Sequence, residues 1–109
     1  MKPEDCDKLI TEALLAAKTA VDNYFQENPG QWYPCGFSWV NVKPARGPLI
    51  AALKSAGLGS KDEYAGGWSI WNPAGSTTQC MDAKAAGSEA FAQVLRAAGF
   101  NAVARTRID

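Results

Sequence analysis

Arg105 and Arg107 lie two residues apart in a segment whose other members from 102 to 108 are small or apolar. If that segment is a strand, its side chains alternate and both guanidinium groups project from one face. Such a face needs a counter-charge, which solvent, an acidic helix, the terminal Asp109 or an anionic ligand could supply. Further donors are Asn41, Lys43 and Arg46 after one predicted strand, and Asn72 with Ser76, Thr77, Thr78 and Gln79 after another. Fixed cations, hydroxyls and the free amides of a helix N-terminus together solvate a phosphate or carboxylate without bulk water. Trp39, Trp68 and Trp71 offer flat surfaces on which a ring could stack. This chemistry is recognition of a small anionic, nucleotide-like ligand. Each member also has a purely structural use: Ser76, Thr77 and Thr78 as helix caps, the turn at residues 72–75 as chain reversal, and the tryptophans as core or subunit interface. Gly75-Ser76-Thr77-Thr78 is no Walker loop, because no Gly-Lys-Ser/Thr follows.

Histidine is absent. Ser-His-Asp and Cys-His nucleophiles, His-ligated metals and imidazole proton relays therefore cannot be assembled from one chain. Cys6, Cys35 and Cys80 form no CxxC pair and are odd in number, which reads as three reduced thiols rather than a zinc site or disulfide framework. An enzyme built on Asp82, Lys84 and Cys35 or Cys80 is conceivable chemistry, but no spacing positions it. The expected activity is non-enzymatic, with no cofactor and no metal.

A chain of 109 residues, 47% apolar and 20% charged, is sized for one domain spanning 1–109. Its zero formal net charge argues against a duplex nucleic-acid partner, which would demand an excess of Lys and Arg. No apolar run approaches the ~18 residues that cross a bilayer, and the first residues are acidic where a signal peptide is basic and then apolar. No membrane association and a cytoplasmic location are expected. Residues 1–31 carry six acids and three bases, so the remainder is modestly basic.

The elements that must position the donors follow from periodicity. Residues 1–31 read as an N-terminal amphipathic helix and linker, with the helix running from Pro3 to about Asn28 through Ile10, Ala13, Leu14, Ala17, Val21, Tyr24 and Phe25. Residues 32–109 read as a strand and helix body. Residues 35–43 form a strand with Phe37 and Trp39 on one face and Val40 and Val42 on the other, which predicts cover on both sides. Pro48 opens a short helix, residues 68–71 form a second strand, and a long helix begins within residues 76–82. A third strand closes the chain. Leu53-Lys54-Ser55-Ala56-Gly57-Leu58 echoes Leu95-Arg96-Ala97-Ala98-Gly99-Phe100, one helix-ending device used twice, which predicts positive φ at Gly57 and Gly99. The fold class is therefore α/β: a small three-stranded sheet in the order helix, strand, helix, strand, helix, strand. Right-handed crossovers would make neighbouring strands parallel and gather the donors on one rim, although residues 59–67 are long enough to reverse direction and pair two strands antiparallel. So thin a sheet with four tryptophans predicts a homo-oligomer.

Cys35-Gly36-Phe37-Ser38-Trp39-Val40 with Lys43-Pro44, Trp71-Asn72-Pro73-Ala74-Gly75, residues 78–84 (Thr-Gln-Cys-Met-Asp-Ala-Lys) and the ending 105–109 resemble small uncharacterised proteins of tailed bacteriophages. The resemblance implies a phage accessory protein and transfers no functional residue. By analogy of type, it suggests sequestration of a nucleotide signal of host defence. The alternative reading is a protein-protein interaction module that binds a host or virion protein through the acidic helix or exposed aromatics.

Overall fold

The computed structural model describes residues 2–30 and 33–108. The linker residues Gln31 and Trp32, and Asp109 as counter-charge to the arginines, lie outside the described residues. Helix α1 (Pro3–Glu27) starts at a proline whose missing N–H costs nothing there, with Glu4 and Asp5 at the positive end of the dipole. Its buried stripe is Cys6, Ile10, Ala13, Ala17 and Val21, and it ends where the Asn28 backbone and side-chain amides both donate to the Tyr24 carbonyl at 2.9 Å. Helix α2 (Pro48–Ser55) turns Leu49, Ile50 and Leu53 inward, and helix α3 (Met81–Ala97) buries Ala83, Gly87, Phe91, Ala92 and Leu95. A Cβ at Gly87 would stand 2.9 Å from Val21 Cγ2 and 3.1 Å from Ala74 Cβ. The missing side chain lets α1 and α3 approach closely, since the contact residues set the interaxial distance.

The strands are β1 (Gly36–Lys43), β2 (Ser60–Lys61), β3 (Trp68–Trp71) and β4 (Asn101–Ile108), ordered β2-β3-β1-β4 with every neighbouring pair antiparallel. The sheet thus has four strands rather than three, and the chain order is α1-β1-α2-β2-β3-α3-β4. Strands joined by a crossover helix keep the expected common direction but are not neighbours. β1 and β2 both run opposite to β3, so the strands joined through α2 point the same way, as do β3 and β4 joined through α3. In each case a third strand is inserted between them. This is the connectivity of the split β-α-β motif, with α1 added in front.

Alternation along β1 divides the molecule. Gly36, Ser38, Val40 and Val42 turn toward the helices, where α3 lies against β1 and β4, and α1 packs along α3. Val40, Ile70 and Ala102 share one core with Leu53, Phe91 and Leu95, all at most 1% exposed. Burying Phe91 alone is worth roughly 1.5–3 kcal/mol. Ser38 Oγ lies 2.8 Å from Ser88 Oγ and 2.9 Å from the Arg105 carbonyl oxygen. Having one proton, it donates to the carbonyl and accepts from Ser88, tying sheet to helix without an orphaned hydroxyl. The opposite face, with Phe37, Trp39, Trp71 and Val103, is not covered by a second layer, contrary to the two-sided expectation; Trp71 is 50% exposed.

Gly57 and Gly99 have φ of +72° and +96°. The Leu58 and Phe100 amides donate back to the Leu53 and Leu95 carbonyls at 2.9 and 3.1 Å, so both helices of the split motif end by the same six-to-one bond. Nothing lies within 4 Å of a Cβ placed at either glycine, so substitution meets only the left-handed backbone penalty. Gly99→Ala is expected to destabilise by about 1–2 kcal/mol with an unchanged m-value in urea unfolding. A neutral result would contradict this capping geometry.

Candidate functional site

The uncovered sheet face carries an aromatic cluster. Trp39 of β1 and Trp71 of β3 are register partners and stack at 4.7 Å between ring centroids with 22° between planes. Phe37 meets Trp71 edge-on at 6.1 Å and 71°. On the other side of β1, Arg105 pairs with Trp39 and Arg107 with Phe37, and the Arg107 guanidinium carbon lies 5.4 Å from the Phe37 ring centroid. Lys84 Nζ, from the buried first turns of α3, lies 5.3 Å from the same ring. Two cations over one ring hold it by attraction to the π face. The indoles remain open toward β2, where a groove of about 440 Å³ is lined by Trp39, Ser69, Trp71, Arg107 and residues 60–65.

The far wall of that groove is fixed by Asp62. Its Oδ1 accepts from the backbone N–H groups of Tyr64 (2.9 Å) and Ala65 (2.8 Å), and its Oδ2 accepts from the Ser69 hydroxyl at 2.9 Å. Asn41 Nδ2 donates to the Gly66 carbonyl at 2.8 Å, fastening the same loop to β1. The Ala65 amide, then the Ser69 hydroxyl and the Tyr64 amide, hold the Asp62 carboxyl below its ordinary value, with a smaller contribution from Lys43. Tyr64, at the tip of the loop, is fully exposed.

The structure does not gather the expected rim. Because β1 runs against β3 and β4, Lys43 and Arg46 lie at the opposite end of the sheet from Arg107: Phe37 pairs with Arg107 and Lys43 with Asn101. Six residues of strand, roughly 20 Å, separate those pairs. Arg46 and Lys43 instead border a 120 Å³ hollow beside the start of α2. Asn72, at φ +45°, donates its side-chain amide to the Ser76 carbonyl at 2.7 Å. Ser76 Oγ accepts from the Thr78 amide and Thr78 Oγ1 from the Cys80 amide, at 3.3 and 3.1 Å, so these hydroxyls order the approach to α3 rather than cap it. Ser76 and Thr77 line a separate hollow with Lys18, Val21 and Asp22, and the exposed Gln79 gives its carbonyl to the Gly36 amide. Trp68 faces the helix layer, packs on the core and donates Nε1 to the Leu58 carbonyl at 2.8 Å. It is no stacking surface. Of the candidates, Trp39, Trp71, Arg105 and Arg107 share one end of one face. Phe37, Asp62 and Tyr64 were missed; Asp62 followed by Gly66-Gly67 is the side-chain turn signal that marks the loop. Asp82 is exposed and Cys80 buried, while Cys35 opposes Cys80 in a single β-bridge.

Fold and face together define a class: a two-layer α/β protein whose bare sheet surface carries stacked aromatics flanked by arginines. No family model matches the chain, and no curated protein or solved structure matches it. No helix among the described residues is long and apolar enough to cross a membrane.

A carboxyl held below its unfolded value stabilises the fold above that value and loses the contribution as pH falls through its folded one. The unfolded value is about 3.9. The groove loop is therefore expected to stay closed at neutral pH and to loosen below about pH 4, read as a fall in the amide-exchange protection factors of Tyr64 and Ala65. Asp62→Ala, which removes both carboxylate oxygens, should show lost protection there at pH 7 and a flattened acid response. Protection at pH 7 equal to that of the wild type would remove Asp62 as the anchor.

Proposed function

We propose that the chain is a non-enzymatic phage accessory protein, in keeping with its resemblance to small uncharacterised proteins of tailed bacteriophages, that holds an anionic, nucleotide-like ligand on the open sheet face. The observation that carries this reading is the Trp39–Trp71 stack with Arg105 and Arg107 beside it. A ring laid on exposed indole gains stacking energy, and a phosphate on a guanidinium fork gains paired charge-assisted bonds. Neither needs proton transfer. The groove volume falls in the ordinary range for small-molecule sites. Self-association belongs to the same proposal: β4 is an edge strand of eight residues, and Ile108 is 69% exposed at its end. A second copy paired along that edge would cover both.

The test is a thermal-shift screen over nucleotides and cyclic nucleotides, followed by titration of any hit. A ligand at 100 times its Kd raises stability by about 2.7 kcal/mol. Arg107→Lys keeps the charge but loses the planar fork, and is expected to weaken binding by about 1–3 kcal/mol with an unchanged melting temperature. If the arginines serve only as surface charge, lysine should be neutral and alanine should cost less than about 1 kcal/mol of stability. Unchanged affinity in lysine and alanine variants at both positions would exclude an anion site on β4.

A further inference from the structure

We infer that the ligand of the open face is a single strand of DNA lying across β3, β1 and β4, rather than a mononucleotide. This rests on the nucleotide-binding reading above and names its ligand. The face offers much stacking and charge but little that could recognise one base. Asp62 and Ser69, polar groups that line the groove beside the indoles, are engaged with each other, with Asn41 or with the loop backbone. A single base would therefore gain stacking and one phosphate contact only. A polymer repeats both terms, since linked contacts after the first are intramolecular. Ring surfaces on β3 and β1 lie beside cations on β4, with Lys43 on the same face farther along β1.

Stacking on exposed aromatics with phosphates on a positive track is the general mode of single-strand binding, and it tolerates any base. A duplex hides its ring faces and cannot use the indoles. Among the described residues, the carboxylates lining the groove are those of Asp62 and Glu63, so the phosphate path leads away from that wall toward β4. The Asn41 Nδ2 group, the Asp62 carboxylate and the Ser69 hydroxyl are already engaged in holding the loop, so none of the three gains by taking a ribose 2′-hydroxyl in place of its partner. DNA, whose strand lacks that group, is the occupant the face fits.

Tryptophan quenching on titration with an oligodeoxythymidylate of about twelve nucleotides tests this, beside thymidine monophosphate, the matching oligouridylate and a duplex of equal length. The oligodeoxythymidylate should bind at least about a hundredfold more tightly than the monophosphate and about tenfold more tightly than the duplex, with the oligouridylate no tighter. Three cations, Lys43, Arg105 and Arg107, predict a slope of about −2 in log affinity against log salt, a roughly twentyfold loss between about 50 and 200 mM. Trp71→Ala should lose at least about tenfold while Trp71→Phe loses less than about threefold. Melting curves on each variant separate lost binding from lost fold. Equal affinity for monophosphate and oligomer would overturn the polymer while leaving the nucleotide reading intact. An oligouridylate preferred by more than about tenfold, or a duplex bound as tightly, would overturn single-stranded DNA. Binding of none of the four would overturn single-stranded DNA and leave the nucleotide reading to the screen over nucleotides and cyclic nucleotides.

Discussion

The structure depends on one constraint: a twisted antiparallel sheet has two faces, and here the helices that share its core are all on one. β1, one of the two inner strands, alternates its residues across this divide. Its even-numbered members, small or β-branched, meet α3 and the shared core. Its odd-numbered members, Phe37, Trp39, Asn41 and Lys43, are left to solvent or to the short loop above β3. Aromatic side chains on a face without a second layer cannot be justified by core burial. Stacking on each other and cation contacts relieve only part of their exposure.

Much of the helical layer was legible because its signals are local. Three-four spacing, a first-turn proline and the repeated Gly-Leu and Gly-Phe terminators lie within a few residues of what they determine, and α1, α2 and both positive-φ glycines follow from them. The echo between residues 53–58 and 95–100 maps onto the two crossover helices of the split motif, which reach the sheet in equivalent ways. The sheet was less legible because pairing is non-local. β2 is two exposed polar residues whose strand character comes from hydrogen bonding to β3, and no periodicity exists in a segment so short. Strand insertion between two parallel partners likewise leaves no mark in either partner's sequence.

The site was partly legible for the same reasons. Trp39, Trp71 and the two arginines needed only alternation and one register to come together. Lys43 and Arg46 failed because their assignment assumed that all strands end at one rim, whereas antiparallel neighbours alternate their ends; Asn72, Ser76 and Thr78 follow a strand that ends beside the arginines, but their side chains are spent on the approach to α3. Reading β1 as covered on both faces had the right residues and the wrong inference. Apolar character on both sides of a strand indicates two contacts, and the second here is the aromatic cluster itself rather than another layer. Trp68 shows the converse: its side chain has the type of a stacking residue, but parity on β3 sends it inward, where the Leu58 carbonyl satisfies its N–H.

Zero net charge conceals a polarised surface. The six acids of α1 are all exposed on the helix side, while Lys43, Arg105 and Arg107 project from the sheet face. Charges on opposite sides of a body whose shortest dimension is 21 Å are separated by more than twice the Debye length of about 8 Å at physiological salt. At contact, therefore, the sheet cations act on an anion almost unopposed by the acidic helix. At longer range the two sets cancel, and little of the steering that a basic protein exerts on nucleic acid remains. Such a face gains its affinity after touching rather than before. That favours ligands whose rings can be held by Trp39 and Trp71 once they arrive, and it gives no advantage to a duplex that offers charge alone.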